Sequence, residues 1–303
     1  MSSIEKFINK LDKSKPKGSD KKRVFDDEDI LKYEDGRNDA GNELYQSSIH
    51  KINFALLEEQ GMLTPNASNN YLAEEYRAIK RPLLNNAFGK SAEEIPHGNL
   101  IMISSSLPGE GKSFTTINLA MSMASELDRT VLLVEADVAK PAVCKYLGIQ
   151  EPEKGLIDYL DDPSIGLSNI MLRTNVPKLS VLPAGRYHQH ATELLTSSNM
   201  QVLMDDLSLR YSDRVVLFDS PPLLITSEAV ALSELMGQVV LVVESGKTQQ
   251  AVVKDALAKL NPDIVVGVLL NKIEGKGGPG YGGYYGAGGY GGYGGYGHGG
   301  GGA

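Results

Sequence analysis

SSSLPGEGKS, Ser104 to Ser113, stands between an apolar run, Leu100 to Ile103, and a helical pattern that begins at Lys112. Strand, glycine-bearing loop and helix in that order are the local signature of a phosphate-binding loop at the C-terminal end of a buried strand. A tight turn around a triphosphate needs positions without bulky side chains, so that consecutive backbone N–H groups point inward at phosphate oxygens. Gly109 and Gly111 supply that freedom. Lys112 is placed to reach the β- and γ-phosphates as a point charge, and the Ser113 hydroxyl to sit on Mg²⁺ at the start of the helix. The full pattern is GxxxxGK[ST], and Ser106 stands where its first glycine belongs; a small residue there still permits the turn. Taken alone, GEGKS also suits a solvated turn capped by Ser113. The flanks decide, because an apolar strand precedes it and Phe114, Ile117, Leu119, Ala120, Met121 and Met123 make the following helix largely buried. The candidate ATP-binding set is therefore Ser106, Pro108, Gly109, Glu110, Gly111, Lys112, Ser113 and Phe114.

Outward from this loop, residues 100 to 272 alternate apolar runs with helical patterns, which predicts an α/β fold: an open, mostly parallel sheet with helices on both faces. The strands are expected at Leu100 to Ser104, Thr130 to Glu135, Leu179 to Leu182, Arg214 to Asp219, Gln238 to Glu244 and Ile264 to Asn271. Ligands in such sheets gather at the C-terminal strand ends, so acids there carry the chemistry. VVLFDSPP puts Asp219 directly after four apolar residues, where its carboxylate suits Mg²⁺ or a metal-bound water beside the γ-phosphate. The competing reading is a carboxylate that caps the turn at Pro221 and Pro222. VLLVEADVAKP carries Glu135 and Asp137 two apart. Both are expected to face the phosphate site, where a second carboxylate orients or deprotonates a hydroxyl acceptor; the competing reading is a pair of caps for the next helix.

The chain of 303 residues has a net charge of −8, which argues against a general nucleic-acid binder. The only cysteine, Cys144, excludes an intramolecular disulfide and any CxxC metal site, and fits a reducing compartment. No apolar run approaches the roughly 18 residues of a membrane span, and no signal-peptide core opens the chain. A cytoplasmic protein that meets a membrane through a partner is the expectation.

The N-terminal part, residues 1–66, reads as a partly flexible arm with short helices. Ile4, Phe7, Ile8 and Leu11 have the spacing of one helical face. The first 23 residues hold eight Lys or Arg against three acids, whereas Phe25 to Asp39 hold seven acids and two bases; opposed blocks of this kind mark a solvated, flexible arm, or a contact with a partner or anionic surface. A helix is expected over Ser48 to Gln60, stopping at Gly61. The next begins near Ser68 or Asn69 and is interrupted at Pro82. Its Glu74, Arg77 and Lys80 lie three apart and share one face in this reading.

The trio SLPGEGKS, VLLVEADVAKP and VVLFDSPP, in that order and spacing, resembles the bacterial tyrosine kinases of exopolysaccharide gene clusters, BY-kinases, which are deviant P-loop ATPases. The resemblance runs from Tyr71 to the C-terminus, and within the family the likeness is to the cytoplasmic autokinases of exosortase-associated polysaccharide loci. It implies a P-loop kinase domain over residues 67–274, with P-loop roles for Lys112 and Ser113. Asp137 becomes the acid of the second, family-specific Walker motif, and Asp219 the Walker B aspartate. Lys112, Asp137 and Asp219 are then catalytic, and Ser113, Glu135, Asp137 and Asp219 the candidate Mg²⁺ ligands. The second motif is generally DxDxR, so Glu135 replaces an aspartate and Ala139 an arginine. The family's ExxRxxR oligomerisation motif falls on Glu74, Arg77 and Lys80, where Lys keeps the charge and loses bidentate geometry. Asn271 falls near the family's adenine position. Related ATPases that position division sites or partition plasmids carry an extra lysine, KGGxGK[ST], where this chain has Leu107. A nucleotide-switched spatial regulator of that MinD/ParA type is the alternative.

Residues 275–303 hold 18 glycines and six tyrosines, Tyr281, Tyr284, Tyr285, Tyr290, Tyr293 and Tyr296. With almost no aliphatic side chains to bury, this segment is expected to be a disordered tail. Gly/Tyr tracts are also adhesive on their own. Joined to a chain that resembles a tyrosine kinase, the tract looks like the tyrosine cluster such kinases autophosphorylate. The resemblance further implies a homo-oligomeric ring, a separate membrane-spanning chain-length determinant or polysaccharide co-polymerase as activator, a cognate tyrosine phosphatase, no nucleic-acid partner, and a place at the inner membrane through the activator.

Overall fold

The computed structural model describes residues 49–65, 71–89, 94–150, 152–209 and 213–273. The charged blocks before Ile49, the amphipathic stretch Ile4 to Leu11 and the six tail tyrosines lie outside the described residues.

Seven strands form one sheet: β1 (Leu100–Ser105), β2 (Thr130–Glu135), β3 (Leu172–Arg173), β4 (Leu179–Leu182), β5 (Arg214–Asp219), β6 (Gln238–Glu244) and β7 (Val265–Asn271). Their order is β3-β4-β2-β5-β1-β6-β7, parallel throughout except for the β3–β4 pair. Six of the seven fall where the apolar runs predict them. β3 was not foreseen: at two residues it is too short to show a period.

β1 and β5 are buried at every position, and β6 at every position but its last, Glu244. That burial is why these strands read as continuous apolar runs rather than alternations. Alternate residues still serve opposite faces. Ile101, Ile103, Val131, Leu133, Val215, Leu217, Val240 and Val242 pack into one cluster with α1 (Phe54–Glu59), α2 (Tyr71–Phe88), α3 (Lys112–Ala124) and α4 (Val143–Leu147). The intervening residues face the other layer, where α7 (Ser198–Leu209) lies against β1. α5 (Leu156–Asp161), α6 (Ala191–Leu195), α8 (Ser227–Ser233) and α9 (Gln250–Leu257) complete the described helices. The edge strand β7 is less well covered, with Val268 and Leu270 more than half exposed.

Three expectations need correction. The helix expected from Ser48 is shorter, because Asn53 caps α1 by accepting from the Leu56 N–H at 3.1 Å, and the residues ahead of it run extended. There His50 N–H donates to Arg173 O at 2.8 Å, and Ile52 N–H to the Asn175 side chain at 2.8 Å. Secondly, the segment after Ile49 packs into the core rather than forming part of a partly flexible arm: Ile52, Leu57, Met62 and Leu63 are buried in the same cluster as Ile101, and Leu63 N–H donates to Asn118 Oδ1 on α3 at 2.7 Å. A boundary at residues 66/67 therefore divides one core. Thirdly, α2 continues through Pro82 to Phe88. A proline inside a helix removes one backbone hydrogen bond; here Leu83 is buried, and the Arg129 guanidinium lies 3.9 Å from the Phe88 ring centre, fixing the final turns by tertiary contact.

Candidate active site

β5 lies between β1 and β2, with Ile103, Asp219 and Glu135 in register across the three strands. Their C-terminal ends therefore bring the Ser106–Ser113 loop, Asp219 and the start of the β2–α4 connection side by side. Lys112 Nζ is 2.7 Å from Asp137 Oδ2 and 3.9 Å from Asp219 Oδ1. The Ser113 hydroxyl donates to Asp219 Oδ2 at 2.7 Å. Lys112, Ser113, Asp137 and Asp219, distant in sequence, thus form one cluster of charge and hard oxygen donors. Thr116, which the sequence reading passed over, joins it by donating to Lys112 O at 2.8 Å and to Asp219 Oδ1 at 3.3 Å. It lies three residues past Ser113 on the same helix, and that spacing was the available signal.

The electrostatics follow from burial. Asp219 is wholly buried, and desolvation raises its pKa above the aspartate range even though the Lys112 charge and the Ser113 hydroxyl oppose the shift. Burial pulls the Lys112 ammonium down, but the charges of Asp219 and Asp137 outweigh it and leave its pKa above the usual lysine value.

The loop's peptide planes are fixed from outside. N–H groups that face a phosphate require carbonyls that face away, and carbonyls turned into protein need donors. Ser105 Oγ donates to Leu107 O at 2.8 Å, Lys272 Nζ to Gly109 O at 2.6 Å and Asn271 Nδ2 to Glu110 O at 2.9 Å. Gly109 and Gly111 have φ of 86° and 100°, the left-handed conformations that glycine permits at little cost. α3 begins at Lys112, so its first-turn N–H groups lack intrahelical acceptors and face the same cradle. At the loop's first position the Ser106 hydroxyl is buried without a hydrogen-bond partner among the described residues. An orphaned hydroxyl, two left-handed glycines, a lysine and a helix N-terminus fit a nucleoside triphosphate. The oxygen donors of Ser113, Asp137 and Asp219 suit Mg²⁺ rather than a soft metal.

Two expected roles change. Glu135 stands close enough for its charge to act on Lys112, but its carboxylate is turned to the backbone: it accepts from Ala142 N–H, from Val143 N–H at 2.6 Å and from Ala184 N–H at 3.4 Å. It caps α4 and ties the end of β4 to β2, and its pKa is raised by burial despite these bonds. Both Glu135 oxygens are thus engaged by backbone N–H groups. Lys80 does not share an outward face with Glu74 and Arg77. It is buried, donates to Ser122 O at 2.7 Å and pairs with Glu126 at 2.6 Å, which fastens α2 to α3. Glu74 and Arg77 pair with each other on the more exposed side. Asn271 and Glu110 reach the cradle as braces on its backbone, while Pro108 and Phe114 lie within the loop and on the first turn of α3.

A mostly parallel sheet with this loop after β1, Asp219 at the end of the adjacent β5, Asp137 just past β2 on the far side of β5, and Lys112 between the two carboxylates defines a P-loop nucleotide-dependent enzyme. The tyrosine-protein kinase YwqD of Bacillus subtilis is 31% identical over 223 residues, covering 69% of this chain and 84% of that protein. The chain belongs to the bacterial tyrosine-protein kinase family. The tyrosine-protein kinase ptk of Acinetobacter johnsonii is 31% identical over 173 residues, 57% of this chain; the chain spans only 22% of that relative's length. Among solved structures, the VpsO kinase domain is similar with a TM-score of 0.55 and 29% identity, over 68% of this chain and 100% of that domain. No family model matches.

Proposed function

We propose that the chain is an ATP-dependent protein-tyrosine autokinase that phosphorylates its own C-terminal cluster, Tyr281, Tyr284, Tyr285, Tyr290, Tyr293 and Tyr296, on neighbouring copies. The observation that carries this reading is the convergence of Lys112, Ser113, Asp137 and Asp219 at three adjacent strand ends. ATP with Mg²⁺ supplies the electrophilic γ-phosphoryl group. The loop N–H groups and Lys112 bind and orient the phosphates, and Ser113 and Asp219 hold the ion. Asp137 accepts the proton from the tyrosine hydroxyl as its oxygen bonds to phosphorus and the bond to the ADP oxygen breaks. Asp137 needs both properties its place provides: reach into the site, and a lysine that fixes one of its oxygens at 2.7 Å.

The glycine-rich spacing of the tail presents many tyrosines at high effective concentration to a neighbouring subunit. Each phosphate adds about −1.5 to −2 charge. Several on one tail of an already acidic protein therefore repel, and phosphorylation releases tails docked between ring subunits. Glu74 and Arg77 remain as the oligomerisation pair. A membrane-spanning co-polymerase serves as activator and brings the kinase to the inner membrane, a tyrosine phosphatase reverses the modification, and the cycle sets polysaccharide polymerisation, export and chain length. Among the described residues no helix is long and apolar enough to cross a membrane.

The test is to incubate the purified full chain with ATP and Mg²⁺ and to map phosphotyrosine by mass spectrometry. Label on the tail, lost in Lys112→Met with an unchanged circular dichroism spectrum, supports the reading. Release of ADP and free phosphate with an unmodified tail overturns it in favour of a nucleotide-switched ATPase.

A further inference from the structure

The phosphate loop is braced on its outer flank by a buried carboxylate that belongs to the loop itself. Glu110 is 2% exposed. One of its oxygens accepts from Leu107 N–H at 2.7 Å, closing the loop upon itself; the other accepts from the Thr248 hydroxyl and, at 3.4 Å, from Glu244 N–H. The partners differ in origin. Leu107 is in the loop, whereas Glu244 ends β6 and Thr248 lies in the connection to α9. Beside the loop a cleft of about 260 Å³ opens between Leu107 and Pro108 on one side and Gln249 and Val252 on the other, with Glu110 and Thr248 in its wall. Glu244 is itself held by Lys247 at 3.2 Å and by Lys272 at 3.3 Å, and Lys272 also donates to Gly109 O. A loop flanked by a cleft keeps its shape through hydrogen bonds, and those to a charged acceptor are the strong ones.

We infer that Glu110, anchored by Thr248, is a positioning residue that preorganises the phosphate loop, so that the β6–α9 connection sets nucleotide affinity without touching the nucleotide. The inference rests on the nucleotide reading proposed above. Preorganisation acts by removing an ordering cost from binding. A brace that holds the ground state and the transition state alike changes KM and leaves kcat nearly unchanged.

The experiment uses the full chain with Thr248→Val, Thr248→Ser, Glu110→Ala and Glu110→Gln, measuring Mg-ADP affinity by calorimetry, KM for ATP and kcat for tail phosphorylation, and the melting temperature without nucleotide. Losing a hydrogen bond to a charged acceptor corresponds to about a ten-fold effect. Thr248→Val is thus expected to weaken Mg-ADP and raise KM about ten-fold, with kcat within about two-fold. Thr248→Ser, which keeps the hydroxyl, restores affinity. Glu110→Ala is weaker than Thr248→Val because it also strands Leu107 N–H, and Glu110→Gln falls between. Should Glu110→Ala fail to fold, the two Thr248 variants decide. Unchanged affinity in Thr248→Val, or a lowered melting temperature with unchanged affinity, overturns the inference while leaving the nucleotide reading intact. A wild-type chain that binds neither Mg-ADP nor Mg-ATP overturns both.

Discussion

Gly109 and Gly111 are both left-handed, but only Gly111 is also hemmed in, and alanine at each separates the two effects. At Gly109 an added Cβ meets nothing within 4 Å, so Gly109→Ala carries only the strain of a positive φ, about 1–2 kcal/mol. At Gly111 the same Cβ falls 2.0 Å from Asn271 Nδ2. The amide must move and surrender its bond to Glu110 O, adding about 1 kcal/mol, for a total of about 2–3 kcal/mol. Asn271→Ala alone gives up the same bond and costs about 1 kcal/mol. In the double variant that bond is lost once and the clash is gone, so its cost should match Gly111→Ala and fall short of the sum by about 1 kcal/mol. Urea denaturation of the wild type and the four variants supplies the free energies, and Mg-ADP titration tests whether the loop's binding follows them. Strict additivity of Gly111→Ala and Asn271→Ala, or equal costs at Gly109 and Gly111, would refute the proposition that Asn271 braces the loop by contact with its backbone.

Asp219 binds more protons in the folded protein than in the unfolded chain, because its pKa stands above the ordinary 3.8, so its contribution to stability falls as pH rises through and above that value. Asp219→Asn is therefore expected to gain stability relative to the wild type between acidic and neutral pH and to melt no lower at pH 7, while losing at least about 100-fold in kinase rate; a melting temperature several degrees below wild type at pH 7 contradicts the burial argument. Leu57, fully buried in a part of the chain first read as partly flexible, should cost about 2–5 kcal/mol when cut to alanine, and a change below about 0.5 kcal/mol in urea denaturation would show that α1 is not part of the core. Lys80→Ala leaves the Ser122 carbonyl and Glu126 without their ammonium and should lower the melting temperature of the dissociated chain. If light scattering instead shows a smaller assembly at an unchanged melting temperature, Lys80 acts between subunits.

Where the sequence could be read, a periodic property had reached the surface of the code. Five strands were legible because a strand buried on both faces must be apolar at nearly every position, the edge strand β7 because its apolar run shows even without burial, and the phosphate loop because two glycines, a lysine and a serine satisfy a backbone requirement that few other residues meet. Glu135 was misread through a rule applied past its domain. Residues two apart share a side only while the chain stays extended, and β2 ends at Glu135. The backbone then bends across β5, Ala136 and Asp137 both donating to Asp219 O at 2.8 and 2.9 Å, so that Asp137 swings to Lys112 while Glu135 points back at α4.

Lys80 was misread through drift. At 3.6 residues per turn, two steps of three residues rotate about 120° away from Glu74, which carries Lys80 into the buried stripe of Ala73, Tyr76 and Leu83. The cost of burial is visible at its neighbour, where the Tyr76 phenol is pushed up to about 12. The stripe 73, 76, 80, 83 has helical spacing with one cation in it, and a lysine placed there must find its acceptors inside the chain. That requirement joins α2 to the far end of α3, whose other end carries Lys112 and Ser113. A helix tied at its N-terminus to Asp219 through the Ser113 hydroxyl and near its C-terminus to the Lys80 ammonium is held at both ends. If that is how α3 holds its place, Lys80→Ala should loosen the phosphate loop from the opposite end of the helix and weaken Mg-ADP along with the melting temperature.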